Sequence, residues 1–392
     1  MPEIPLDFSR EEYTARLAKT RGEMDRRGID TLVVSDPSNM AWLTGYDGWS
    51  FYTHQAVVIT LDGEPLWWGR SQDSRGALLT VYMEPDRIHG YADEYVQSTE
   101  RHPMQTLAAL LGSLSPRRIG VEMDNYYFSA AAYTTLRAGL TAAEFVDATG
   151  LVNWQRGVKS DQELVYMRRA ARIVEEMHAR IAEVVEPGIR KNDLVAEILA
   201  AGARGADGHG GDYAAIVPLI PTGVEASAPH LTWDDRPMEK GAGTFFEIAG
   251  CHKRYHAPLC RTVYLGEPPD RIRRAEEALL AGLEAGLEVA RAGNRAGQVA
   301  DALHAELAKA GIEREARCGY PIGLSYPPDW GERTISFRSS DSTVLEPNMT
   351  FHFMPGLWMD GWGLEITESI RITEDGPAET LTNYPRAMLV KA

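Results

Sequence analysis

The sequence is short of cysteine, of long apolar runs and of clustered positive charge, and each shortage excludes something. Its three cysteines, Cys251, Cys260 and Cys318, are too few for a disulfide framework, and none belongs to a CxxC pair. A structural zinc site is therefore not expected, and a reducing compartment is. No stretch approaches the roughly 18 uninterrupted apolar residues of a membrane helix. The segment from Met1 to Asp7 lacks the basic and then apolar layout of a secretory signal, so the expected location is cytoplasmic. Against 56 acidic residues stand 40 basic ones, a formal net charge of −16, and no basic run is long enough to follow a phosphate backbone. Neither nucleic acid nor a membrane is an expected partner.

What is present is a chain of 392 residues with an ordinary globular composition, 44% hydrophobic and 24% charged. That length is about two to three times that of a single domain, so two domains are expected. Residues 10–27 read as an amphipathic helix stopped by Gly28. Thr31 to Val34 is a short β-branched strand followed by the turn or helix-start signal Asp36-Pro37-Ser38-Asn39. Residues 56–59 and 65–68 flank a hairpin turn, 104–114 reads as a helix and 118–121 as a strand. Strands interspersed with helices make residues 1–158 an α/β domain. From 159 to 392 the pattern changes. Ser160 caps a long helix that ends at Pro187-Gly188, and residues 192–203, 270–291 and 296–310 are further helices. Strands are expected at 214–218, 243–249, 255–265, 350–357 and 364–373. Helices grouped beside hairpin-like strands give an α+β second domain.

Three stretches carry groups that are costly to bury. The first, Tyr46 to Gln55, combines Trp49, Tyr52 and His54; an aromatic loop that only packs against another surface explains it equally well. The second runs from His209 through Asp212 to His230 and Asp235, and His230 is its candidate acid or base. The third comprises Phe245-Phe246-Glu247, His256, Cys260 and Arg261, with Glu365 and Glu368 far along the chain. An unpaired Glu247 in an apolar strand would protonate or find a cation. That cation is either a substrate or, with equal weight, Arg261 or Arg254. Cys260 reads as a small buried hydrophobe.

These segments resemble the pita-bread superfamily of creatinase, prolidase and methionine aminopeptidase over nearly the whole length. The resemblance rests on Phe246-Glu247-Ile248-Ala249-Gly250, Arg261-Thr262-Val263, Gly319 to Leu324, Val344 to Met349 and Met354-Pro355-Gly356. It implies a creatinase-like N-terminal domain followed by a pita-bread catalytic domain. The peptidases of that fold use two aspartates, a histidine and two glutamates around a metal pair. Here Glu247 stands at the first aspartate, Pro258 at the second, Tyr320 at the histidine and Met354 at the first glutamate, while Glu368, or Thr367 in a shifted register, falls near the last. Proline offers no ligand and methionine is a poor one for hard ions, so no metal and no other cofactor is expected.

Creatinase is the metal-independent branch, with a histidine at the position of His230 and a glutamate at that of Cys260. Three long runs, Asp36 to Tyr52, Pro229 to Pro237 and Tyr326 to Arg333, resemble a metal-independent group that opens a cyclic amidine ring with water. A substrate with an amidinium and a carboxylate would need anions or aromatic faces at one end and a donor at the other. Candidates are Glu247, Glu365 and Glu368 for the amidinium, Trp49, Trp358 and Trp362 for its face, and Arg261 or Arg333 for the carboxylate. Tyr52, His54, Asp212, His256, Cys260 and Tyr320 complete the expected lining. His230 and Glu247 are the expected catalytic pair, with Glu247 acting as nucleophile or as counter-charge. The resemblance also implies a homodimer whose Tyr46 to His54 loop completes the partner's pocket. A residual Xaa-Pro dipeptidase, a creatinase-like hydrolase and a non-catalytic ligand-binding pita-bread protein are the alternatives.

Overall fold

The computed structural model describes residues 5–392, so most of the Met1 to Asp7 segment lies outside the described residues. The chain divides into two compact units, one ending at Arg156 and the other beginning at Gly157.

The first unit is built on six strands: β1 (Thr31–Val34), β2 (Ala56–Thr60), β3 (Leu66–Arg70), β4 (Ile88–Tyr91), β5 (Arg118–Val121) and β6 (Glu144–Asp147), in the order β4-β3-β2-β1-β5-β6. The β1–β2 and β2–β3 pairs are antiparallel, and the others are parallel. Helices cover both faces. Leu32 and Val34 pack with Leu17, Met24 and Trp67 on one side, while Val33 and Val58 pack with Trp68, Leu107 and Leu136 on the other. Burial on both faces explains why β1 reads as a continuous apolar run instead of an alternating one.

The second unit centres on a long antiparallel hairpin, β7 (Gly243–His252) and β8 (Tyr255–Leu265), turned by Lys253 and Arg254 at φ 51° and 64°. Further strands are β9 (Gly319–Pro321), β10 (Thr350–Phe353), β11 (Gly356–Met359), β12 (Trp362–Glu365), β13 (Glu368–Arg371), β14 (Glu379–Thr380) and β15 (Leu389–Lys391). They form sheets ordered β14-β13-β10-β9, β11-β12 and β15-β8-β7. The helix Asp161–Val184 starts on a capping box of Ser160 and Glu163 and lies with Lys191–Arg204 against Phe246, Ile248, Leu259 and Val263. The helices Asp270–Val289 and Ala296–Lys309 pack a separate core with Phe337, Phe351 and Phe353. Gly250 lets the long helix approach the hairpin, because a Cβ there would sit 2.0 Å from the Ala170 carbonyl oxygen.

Three expected strands differ. Residues 214–218 form no strand. Pro218 and Pro221 limit the ladder, and a single bridge joins Leu219 to Glu247 through reciprocal backbone bonds of 3.1 and 3.0 Å. The 350–357 run breaks at Met354-Pro355 into β10 and β11, and the 364–373 run breaks between Glu365 and Glu368 into β12 and β13.

Candidate active site

Side chains alternate across a strand, so the face of β7 opposite Phe246 and Ile248 carries Phe245, Glu247 and Ala249. Glu247 pairs across the ladder with Cys260, which shares its face. The carboxyl of Glu247 is buried and has no hydrogen bond or ion pair with any described residue. Burial raises its pKa to about 7. Glu365, at the end of β12, is fully buried, and neither of its oxygens meets a nitrogen or oxygen partner. Burial, and then the charge of Glu247, hold Glu365 well above the usual carboxylate range, against the smaller opposing influence of the nearby Cys260 thiol and the Arg314 guanidinium. Cys260 itself is pushed up by burial and by both carboxylates, so its sulfur stays protonated.

Beside these acids lies a buried polar chain. Trp330 Nε1 donates to the Tyr320 hydroxyl at 2.8 Å, and that hydroxyl lies 3.0 Å from His352 Nδ1. His352 Nε2 is 2.7 Å from the Thr367 hydroxyl, which accepts the Cys260 amide at 2.8 Å. Burial holds His352 down to about 3, so it is neutral, and pushes the Tyr320 phenol well above its ordinary value, with Glu247 adding to the rise.

The other expected lining residues divide. Arg261 lies on the opposite face of β8 from Cys260 and donates to the carbonyls of Cys260, Thr367, Tyr384 and Pro385 and to Glu368. These bonds engage all five of its N–H groups. Glu368 is held at 2.7 Å by Arg261 and also receives Thr382 and Arg386. Neither is available to a substrate, which corrects both assignments, and Glu247 is not the partner of Arg261 or of Arg254. His256 accepts the Ala215 amide at Nε2 and lies 2.9 Å from the Arg254 carbonyl at Nδ1, so both ring nitrogens serve the backbone and burial lowers it to about 4. Asp212 accepts the Arg254 amide at 3.2 Å. Trp362 lines a cavity with Gly223, Gly243 and Tyr264 whose lining includes none of Glu247, Tyr320 and Glu365. Trp358 packs with Phe245 and Cys260, and its indole nitrogen has no partner. Arg333 is exposed, with φ 58°.

His230 is exposed on the turn after the short helix Gly223–Ser227 and hydrogen-bonds no described residue. Its neighbour Leu231 accepts the Ile220 amide at 3.2 Å, and Ile220 follows the Leu219 that bridges to Glu247. The backbone thus ties the His230 turn to the edge of β7 at Glu247. In the first unit Trp49 and Tyr52 are more than half exposed, and His54, its ring 4.8 Å from that of His102, is held by burial at about 4. The sequence alone singles out Thr367 only as the alternative to Glu368 at a metal position and gives no role to Trp330 or His352. His352 had a signal, since it sits between Phe351 and Phe353 in a buried strand as Glu247 does after Phe245 and Phe246.

The fold and the buried acid pair define a hydrolase-type domain of creatinase and prolidase architecture. Residues 165–374 match the Metallopeptidase family M24 and residues 16–158 match the Creatinase/Prolidase N-terminal domain. The chain belongs to this family and has its pita-bread fold. It is 60% identical, over the full length of both chains, to an ectoine hydrolase of Halomonas elongata. It is 41% identical to an uncharacterised hydrolase/peptidase of Sinorhizobium fredii, covering 98% of this chain and 99% of that one. A prolidase structure from Thermococcus sibiricus superposes with a TM-score of 0.84 at 17% identity, over 96% of this chain and 99% of that chain.

The family name implies a metal, and the residues present do not fit one. Where the resemblance puts the ligands of the peptidases this chain has Pro258, Tyr320 and Met354, and among the described residues no three His, Cys, Asp or Glu side chains are grouped to hold an ion.

Proposed function

We propose that this protein is an ectoine hydrolase, opening the cyclic amidine ring of ectoine with water to give N-acetyl-2,4-diaminobutyrate. The three long runs that resemble amidine-opening enzymes resemble ectoine hydrolases in particular, and the relative at 60% identity carries that name. The observation that carries the reading is the pair Glu247 and Glu365, two buried carboxyls of which neither forms an ion pair with a described residue, Arg314 acting on Glu365 only at a distance. A buried anion left unpaired costs several kcal/mol, which a bound amidinium offsets.

In this proposal the reaction is metal-independent. Glu247 holds the amidinium or attacks it, and His230 moves the proton to the departing nitrogen. Trp358 offers an aromatic wall and Arg333 a donor for the carboxylate. Hydroxyectoine, which differs by one hydroxyl, is a possible second substrate, and a separate deacetylase would consume the product. The protein would act in the cytoplasm as a homodimer, with exposed Trp49 and Tyr52 of one subunit, and with them His54, covering the pocket of the other. An active monomer in light scattering would count against that arrangement. A residual Xaa-Pro dipeptidase is disfavoured by the donor set at the metal positions.

The test is NMR of ectoine incubated with purified protein and excess chelator. Ring signals should give way to those of an acetylated open chain. Unchanged ectoine, or turnover restored only by manganese or zinc, would overturn the reading.

A further inference from the structure

The direction of each hydrogen bond around Tyr320 follows from which hydroxyl proton is less costly to leave without a protein acceptor. The fully buried Thr367 hydroxyl accepts the Cys260 amide, and among the described residues its own proton has one acceptor in reach, His352 Nε2 at 2.7 Å. Either tautomer of His352 leaves one hydroxyl proton without an acceptor among the described residues, that of Thr367 or that of Tyr320; Thr367 is fully buried and would bear the whole cost of about 1–3 kcal/mol, whereas Tyr320 keeps 8% of its surface exposed. Thr367 therefore donates, and the imidazole carries its hydrogen on Nδ1. Nδ1–H then donates to the Tyr320 oxygen at 3.0 Å, which also accepts Trp330 Nε1–H at 2.8 Å. Both acceptor positions of the phenol are filled. Its own O–H is directed elsewhere.

Besides Asp329, whose carboxylate accepts the Gly331 amide, the acids that act on Tyr320 are Glu247 and Glu365, and neither is hydrogen-bonded to it. A buried phenolic donor is thus left beside the acid pair with no acceptor among the described residues. This arrangement matches preorganised donors that meet an oxygen only as it forms.

We propose that Tyr320 is a catalytic hydrogen-bond donor to the oxygen that ends as the amide carbonyl of the product, with Thr367 and His352 as positioning residues that aim it. The proposal rests on the cyclic-amidine reading and adds a role to it. In the net step a C–O bond forms at the amidine carbon and one ring C–N bond breaks, its electron pair going to the nitrogen. Both hydrogens of water end on that nitrogen, which leaves as an ammonium. Tyr320 keeps its proton throughout, as expected of a phenol pushed so far up by burial and by Glu247.

Two measurements test this. Nitrogen-15 NMR of histidine-labelled wild-type protein without substrate should show His352 as the Nδ1–H tautomer, and Thr367→Val should perturb it. Steady-state kinetics with ectoine should show kcat for Tyr320→Phe lower by roughly 100- to 1,000-fold with KM nearly unchanged. Thr367→Val should lower kcat less, and Thr367→Ser should restore it. An Nε2–H tautomer in the wild type, or Tyr320→Phe with wild-type kcat, would overturn the proposal. A wild-type enzyme inert toward ectoine overturns the substrate reading and the donor role with it, while the tautomer still decides the direction of the relay.

Discussion

Glu247 faces Cys260 across the β7–β8 ladder, and the charges of Glu247 and Glu365 both act on the Cys260 thiol. Two carboxyls thus lie about a neutral sulfur, and neither forms an ion pair with a described residue. Like charges so placed do not ionise together easily, and the pair titrates as a unit.

The acid pair sets a pH dependence. Glu247 has its pKa raised to about 7, so below that pH it is largely neutral and loses its attraction for an amidinium. The value of kcat/KM for ectoine should therefore fall as pH drops below 7, approaching one log unit per pH unit, and level off above it. A profile flat from pH 5 to 8 would remove Glu247 from the binding step.

Stability should move the other way. A carboxyl whose folded pKa is raised binds its proton more tightly in the folded chain. Its contribution is present below the unfolded value near 4.5 and is lost as pH rises through about 7. Glu247→Gln removes this loss. The variant should melt above the wild type at pH 8, by about 1–3 kcal/mol, with the difference shrinking toward pH 5. Thermal melts of ligand-free protein at the two pH values measure it.

His230 and Glu247 should fail differently. His230→Ala should lower kcat by roughly 100- to 10,000-fold with ectoine affinity little changed, as for a proton carrier. Glu247→Gln should lower turnover and, by losing the charge, weaken ectoine binding measured by calorimetry. Mass spectrometry of quenched wild-type enzyme then separates two routes: added mass on the Glu247 peptide marks attack by the carboxylate, and unchanged mass marks attack by water. Two fully active variants would place the chemistry elsewhere.

Glu368 should behave as a structural group. Glu368→Gln leaves the buried Arg261 guanidinium without its counter-charge, a loss of about 3–5 kcal/mol, while KM of the folded fraction stays at the wild-type value. A variant with wild-type stability and a raised KM would return Glu368 to the substrate site.

Much of this architecture was legible in the sequence because local rules agreed with the fold. The β1 and β8 limits, the Ser160 cap and the paired helices 270–289 and 296–309 lie where periodicity and capping put them. The hairpin residues that carry Glu247 and Cys260 were legible too. What period-2 alternation implied, and the motif reading did not apply, is that adjacent residues face opposite ways. Cys260 and Arg261 are neighbours in the chain, yet the arginine belongs to a different buried cluster. The Tyr320, His352 and Thr367 relay was out of reach for another reason. Its members come from three strand regions, and hydrogen-bond direction exists only once they are brought together.

The binding of Arg261 also orders the assembly of the second unit. Its guanidinium is closed off by the carbonyls of Tyr384 and Pro385, and β15 completes the sheet beside β8 in parallel register, Leu389 opposite Val263. More than a hundred residues of later chain must therefore leave the ribosome before the hairpin at 243–265 gains its last neighbours. Until then a strand edge and an uncompensated cation stay open, and the nascent domain is most exposed to wrong pairing in that interval.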